Sequence, residues 1–259
     1  MSTKQPVLFI AHGSPMNAIE KNSFTQKLSE ISASLVPPKA ILVISAHWLS
    51  EGTLLTSAAQ PRMIYDMYGF PPALYQMKYP APGDPNLVKE IQSLIADPQI
   101  ESDGGKWGFD HGAWSILVHL FPQAQIPVLQ MSIDFKQSFE FHFGLGRKLR
   151  ALRDRGVLII GSGNVVHNLG ELSWNEDEPA YPWAQEFANW YTTKLLEKNY
   201  TALMQDYRKL KSGRMAVPTT EHYIPALYIM GAAAESETAV LEYVGIQNGS
   251  IAMTSFRFG

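Results

Sequence analysis

Short runs of uninterrupted apolar residues alternate along the chain with longer stretches in which apolar positions recur every three to four residues. Pro6 to Ala11 (PVLFIA) and Ile41 to Ala46 (ILVISA) are apolar almost throughout. That is the pattern of strands covered on both faces of a mostly parallel sheet. Between them, Ser23 to Leu35 carries apolar residues at helical spacing and stops before Pro37-Pro38, where the proline rings bar continuation. Ile126 to Ile133 and Val157 to Ile160 repeat the strand pattern, with a predicted helix from Gln137 to Arg153 between them. Trp183 to Lys198 and His222 to Ala234 predict further helices, and Ile251 to Phe258 a closing strand. Strand, helix and strand in alternation predict a layered α/β fold, with a mostly parallel central sheet flanked by helices. Neither a linker nor an internal repeat interrupts the pattern, so residues 1–259 read as a single domain.

One long stretch escapes both periodicities. Gln60 to Gly83 (QPRMIYDMYGFPPALYQMKYPAPG) is rich in Pro, Gly and aromatics. This is not the composition of a disordered tether. A long ordered loop either serves a site or packs as a surface excursion, and the sequence leaves both open.

Composition narrows the chemistry. The apolar fraction of 46% suffices for a sizeable core, and the net charge of −3 comes without any basic block. Nucleic acid and anionic membranes are therefore not expected partners. No cysteine is present, which removes disulfides, thiolate nucleophiles and thiolate metal ligands together. The apolar run before His12 is too short for a signal segment, and no stretch approaches the roughly 20 residues that span a bilayer. A cytoplasmic location is the expectation.

The histidines carry the candidate chemistry. His12 follows the first predicted strand, His47 ends the second, and His167 follows the strand at Val157 to Ile160. In open α/β sheets, ligands bind outside the carboxyl ends of the strands, so these three can converge though distant in sequence. His111 (GFDHG) and His222 (TTEHYIP) sit among Gly and Pro turn signals just ahead of helical patterns. His119 and His142 fall inside predicted helices and read as structural imidazoles. Without thiolates, imidazole is the expected ligand for Zn or Fe(II), and a catalytic site needs three protein ligands with open positions. Gly161-Ser162-Gly163-Asn164 lacks the third glycine of a dinucleotide fingerprint and a P-loop lysine. Ser14 is not in a nucleophile elbow. Trp48, Trp107, Phe109 and Trp114 read as core, with those beside His47 and His111 able to wall an aromatic pocket.

Taken together, HGSP at 12–15, SAHW at 45–48, YPAPG at 79–83, GFDHG at 108–112, SGNVVHN at 162–168 and EHYIP at 221–225 resemble the LigB-type (class III) extradiol ring-cleavage dioxygenases, most closely the 4,5-DOPA branch. The resemblance covers essentially the whole chain. It implies a catalytic domain that opens a catechol ring beside the two hydroxyls and inserts both atoms of O2. It further implies His12, His47 and His222 as metal ligands and His167 as the acid–base histidine, near enough to be counted a fourth ligand in some descriptions. His111 would border the substrate. The implied metal is Fe(II), with Zn(II) able to occupy the same nitrogens in isolated protein. The implied partners are a small aromatic diol and O2, in a possible homo-oligomer. Glu221 stands beside His222, and related enzymes outside this branch use a carboxylate as third ligand. On a helix, successive side chains diverge by roughly 100°, so only one of the two is expected to face the ion, and His222 is the choice. A zinc-dependent hydrolase on the same scaffold and a non-catalytic ligand-binding homologue are the alternative functions.

Overall fold

In a computed structural model, which describes residues 4–259, the expected strands join three further ones in one eight-stranded sheet. The first three residues of the span expected from the sequence lie outside the described ones. The strands are β1 (Val7–Ala11), β2 (Ala40–Ser50), β3 (Thr53–Leu55), β4 (Ile100–Ser102), β5 (Val128–Asp134), β6 (Val157–Gly163), β7 (Val240–Tyr243) and β10 (Ser255–Phe258), in the order β4-β3-β5-β2-β6-β1-β10-β7. The central four, β5-β2-β6-β1, are parallel, while β10 and β7 close one edge antiparallel. A separate two-stranded pair, β8 (Ile246–Gln247) and β9 (Ile251–Ala252), takes the start of the expected closing strand, which breaks at Met253-Thr254.

The apolar runs are explained by burial on both sheet faces. Val7 and Phe9 pack with Leu42, Ile44 and Ile159 on one side, whereas Leu8 and Ile10 pack with Ile41, Val43 and Ile160 on the other. Successive residues of a strand point to opposite faces, so a strand buried twice must be apolar at every position. Helices α1 (Ser23–Ser34) and α4 (His111–Leu120) cover the second face; α2 (Pro72–Tyr75) is a single turn inside the 60–83 stretch. The first face is covered by α3 (Pro85–Leu94), α5 (Phe139–Leu149), α7 (Pro182–Leu196) and α10 (Ile224–Ala232), with the short α6 (Ala151–Asp154), α8 (Tyr200–Gln205) and α9 (Lys211–Ala216) between them. The expected Gln137–Arg153 helix is thus two, broken at Arg150. Among the described residues, no helix is long and apolar enough to cross a membrane.

Two departures concern the site. β2 runs on to Ser50, so His47 lies within the strand rather than at its end. Its pairing with β5 advances from Ile44 to Leu49 while the partner advances only from Met131 to Ile133. The surplus residues bulge out of the ladder and aim the His47 side chain away from it. The helix expected from His222 begins instead at Ile224, leaving Glu221 and His222 in the preceding turn.

Candidate metal centre

The carboxyl ends of the parallel strands deliver five imidazoles to one place. His12 follows β1, His47 rides the β2 bulge, His111 opens α4, His167 follows β6, and His222 stands before α10. The ring centroids of His12, His47 and His222 form a nearly equilateral triangle with sides of 4.9, 5.0 and 5.2 Å. One ring nitrogen from each lies within 4.8 Å of the other two. His111 stands 3.9 Å from His47, and His167 lies flat on His222 at 3.5 Å, centroid to centroid. The expected site residues are therefore brought together. His119 and His142 lie elsewhere: His119 Nε2 is 2.7 Å from the Asn17 carbonyl and His142 Nδ1 2.9 Å from the Tyr228 hydroxyl.

The outer nitrogens of the triangle decide what the inner ones can do. Ser162 Oγ donates its proton to the Gly112 carbonyl at 2.5 Å and lies 2.9 Å from His12 Nδ1. A hydroxyl has one proton to give, so Ser162 accepts from His12 Nδ1–H. His222 Nδ1 meets Glu221 Oε1 at 3.2 Å, and His47 Nδ1 lies 3.2 Å from Asp66 Oδ2. A carboxylate only accepts, so Glu221 holds the His222 proton on the near nitrogen, whereas Asp66 faces His47 at ion-pair distance. His12 and His222 then present an unprotonated Nε2. The Nε2 atoms of His12 and His47 are 3.1 Å apart, within hydrogen-bond distance, and that of His222 is buried without a hydrogen-bond partner. Three neutral imidazoles around one point, two of them with the far N–H anchored, are a donor set that fits a divalent metal.

Electrostatics point the same way. Burial, then the neighbouring imidazoles, hold His12 and His222 well below the usual histidine range. Burial and His111 bring His47 down to about 3, against the pull of Asp66. Burial lowers His167 to about 4. All four rings are neutral at pH 7, the form that can ligate or accept a proton.

Three members of the centre have roles that the motifs do not show. Ser162 opens the SGNVVHN run, and nothing in the run marks it as the partner of His12. Asp66 is an unremarked acid in the long 60–83 stretch. Glu221 was weighed as a rival ligand; the turn, where no helical divergence applies, instead brings its carboxylate to His222 Nδ1, and Thr219 Oγ1 donates to the same oxygen at 2.7 Å.

Comparison with known proteins places this arrangement. A family model described as the catalytic LigB subunit of aromatic ring-opening dioxygenase matches residues 5–254. The chain is 42% identical to a protein of Escherichia coli (strain K12) named 4,5-DOPA dioxygenase extradiol, in an alignment covering 100% of this chain and 96% of the relative. A protein of the same name from Beta vulgaris is 38% identical, covering 96% and 95%. The crystal structure of an uncharacterized protein from Escherichia coli K12 matches with a TM-score of 0.86 at 38% identity, covering 98% of this chain and 100% of that one.

Proposed function

The chain belongs to the LigB family of aromatic ring-opening dioxygenases, and from that premise we propose that it is a metal-dependent extradiol enzyme opening DOPA or a related catechol beside its diol. Both atoms of O2 would enter the product, and residues 1–259 would form one catalytic unit working in the cytoplasm. The observation that carries the reading is the triangle of His12, His47 and His222, with a ring nitrogen of each within reach of the other two and the Nδ1–H groups of His12 and His222 anchored.

Those three residues would hold the metal. Fe(II), unlike the redox-inert Zn(II), would when bound supply the redox chemistry that joins catechol and O2. What supports His222 over Glu221 as the third ligand is that Glu221 already accepts from His222 Nδ1 and Thr219. His167 is the acid–base residue in this reading. Its ring is neutral at working pH, so a ring nitrogen can take a proton from the catechol hydroxyl. The imidazolium so formed sits near the Glu221 carboxylate and can return the proton when the ring opens. His111 borders the diol from the His47 side.

The test is anaerobic loading with Fe(II), followed by L-DOPA or caffeate in air. A yellow ring-opened product, with one O2 consumed per catechol, is the expected result. Iron-loaded protein that opens no member of a catechol panel, alongside zinc-loaded protein that hydrolyses esters or amides, would replace this reading with the hydrolase.

A further inference from the structure

The 60–83 stretch delivers a single carboxylate to two histidines of the centre at once. Asp66 Oδ2 is 2.9 Å from His111 Nδ1 and 3.2 Å from His47 Nδ1, while Oδ1 accepts the His111 backbone N–H at 2.8 Å. Although the residue lies on an exposed loop, its side chain keeps only 19% of its accessible surface. No other carboxylate is within ion-pair distance of either ring among the described residues.

The loop is fastened so that this approach is reproducible. Ile64 N–H donates to the Phe109 carbonyl at 2.7 Å, Phe109 N–H to the Arg62 carbonyl at 2.8 Å, and Trp114 Nε1 to the Ile64 carbonyl at 2.9 Å. Residues 62–64 are thereby stitched beside 109, two positions short of His111. The seam needs a glycine at 108, where a Cβ would stand 1.9 Å from the Arg62 carbonyl oxygen. Asp66 follows the seam by two residues, placing its carboxylate over the start of α4.

We propose that Asp66 is a positioning residue that holds His111 as the Nδ1–H tautomer, a hydrogen-bond acceptor toward the diol, and sets its negative charge beside the metal-donor ring of His47. The inference rests on the function proposed above, and it assigns the loop a role: the loop completes the centre instead of merely covering it. It also sets what His111 can recognise. In that tautomer Nε2 offers a lone pair, which suits a donor such as a phenolic hydroxyl. A ring whose near oxygen carries a methyl group has no proton to give there.

The test compares wild type with Asp66→Asn, Asp66→Glu and, as a control on the same loop, Tyr68→Ala, whose side chain faces solvent. In metal-free protein, the ¹⁵N shifts of the imidazole nitrogens report which one carries the proton. Wild type should show protonated Nδ1 at His111, and Asp66→Asn should show a mixture there. Co(II) affinity, measured by chelator competition, should fall about 10–100-fold in Asp66→Asn at unchanged stoichiometry. Asp66→Glu should recover part of it, and Tyr68→Ala should change neither quantity. Unchanged tautomers in Asp66→Asn would overturn the proposal. So would loss of stoichiometric Co(II) at saturation, which would make Asp66 a ligand. The tautomer measurement needs neither metal nor catechol, so its failure is distinct from a failure of wild type to take up metal or open a ring.

Discussion

The imidazoles of His167 and His222 lie face to face, 3.5 Å apart and 8° from parallel. Backbone bonds on either side hold them there: His167 N–H donates to the Ala216 carbonyl at 2.9 Å, and Asn164 N–H to the His222 carbonyl at 2.9 Å. The segment after β6 and the turn before α10 are thus laced together, one bringing the proposed acid–base residue and the other the proposed third ligand. The stack packs His167 against the site without requiring it to ligate.

His167→Ala should therefore retain its metal while turnover falls by about 10²–10⁴-fold, the usual contribution of a positioned acid–base group. Metal analysis and O2 uptake on the same preparation check this. Metal lost along with activity would make His167 a ligand.

Ser162→Ala should weaken metal binding by about 10–100-fold, because His12 Nδ1–H loses its buried acceptor and the ring its orientation. Chelator competition measures the change. Wild-type affinity in this variant would show that Ser162 does not set the His12 tautomer.

Gly163 explains part of the glycine pattern that resembled a phosphate turn. A Cβ at this position would stand 2.2 Å from the His222 carbonyl oxygen, so β6 and the His222 turn can touch only through glycine. Gly163→Ala should cost about 1–3 kcal/mol of stability, as overpacking does, and should lower metal affinity by displacing His222. Urea denaturation and metal titration together are the check. A stable variant with intact metal binding would contradict the close approach.

Far from the site, Arg153 is fully buried and paired with Glu237 through two bonds of 2.7 Å, and Ala234 N–H donates to Glu237 at 2.7 Å. Burial raises the Glu237 carboxyl, but the bonds from Arg153 and Ala234 outweigh it and bring it to about 2, from an ordinary value of 4.5. A depressed folded value means stability present above the unfolded value and lost as pH falls through the folded one. The contribution should be complete above about pH 5 and decline toward pH 2. Glu237→Gln should lose about 3 kcal/mol at pH 7, since a buried guanidinium loses its counter-charge. The gap to wild type should narrow at pH 3, by urea denaturation at both values. An equal gap at the two would show that the pair contributes no pH dependence.

The sequence by itself determined the layers of this protein and the positions of its imidazoles. Strands buried on both faces must be apolar at every residue, and that run was legible at Val7–Ala11, at the start of β2 and in β6. Because parallel strands share one carboxyl end, histidines near three predicted ends could be grouped before any coordinates, as His12, His47 and His167 were, although His47 reaches the site from a bulge inside β2. The short β3 and β4, each of three residues, were too brief to show a period. The break at Arg150 lay hidden inside continuous helical spacing.

Only the tertiary structure decided which nitrogen of each ring faces inward, and which neighbours hold it so. Asp66, Ser162 and Glu221 act on the histidines through a few contacts of 2.8 to 3.2 Å, made across long sequence separations or in an irregular turn. A periodic pattern records which face of an element is buried. It carries no trace of one side chain meeting another across the end of a sheet, and in this centre such meetings fix the protons of His12 and His222 and leave their lone pairs pointing at one place.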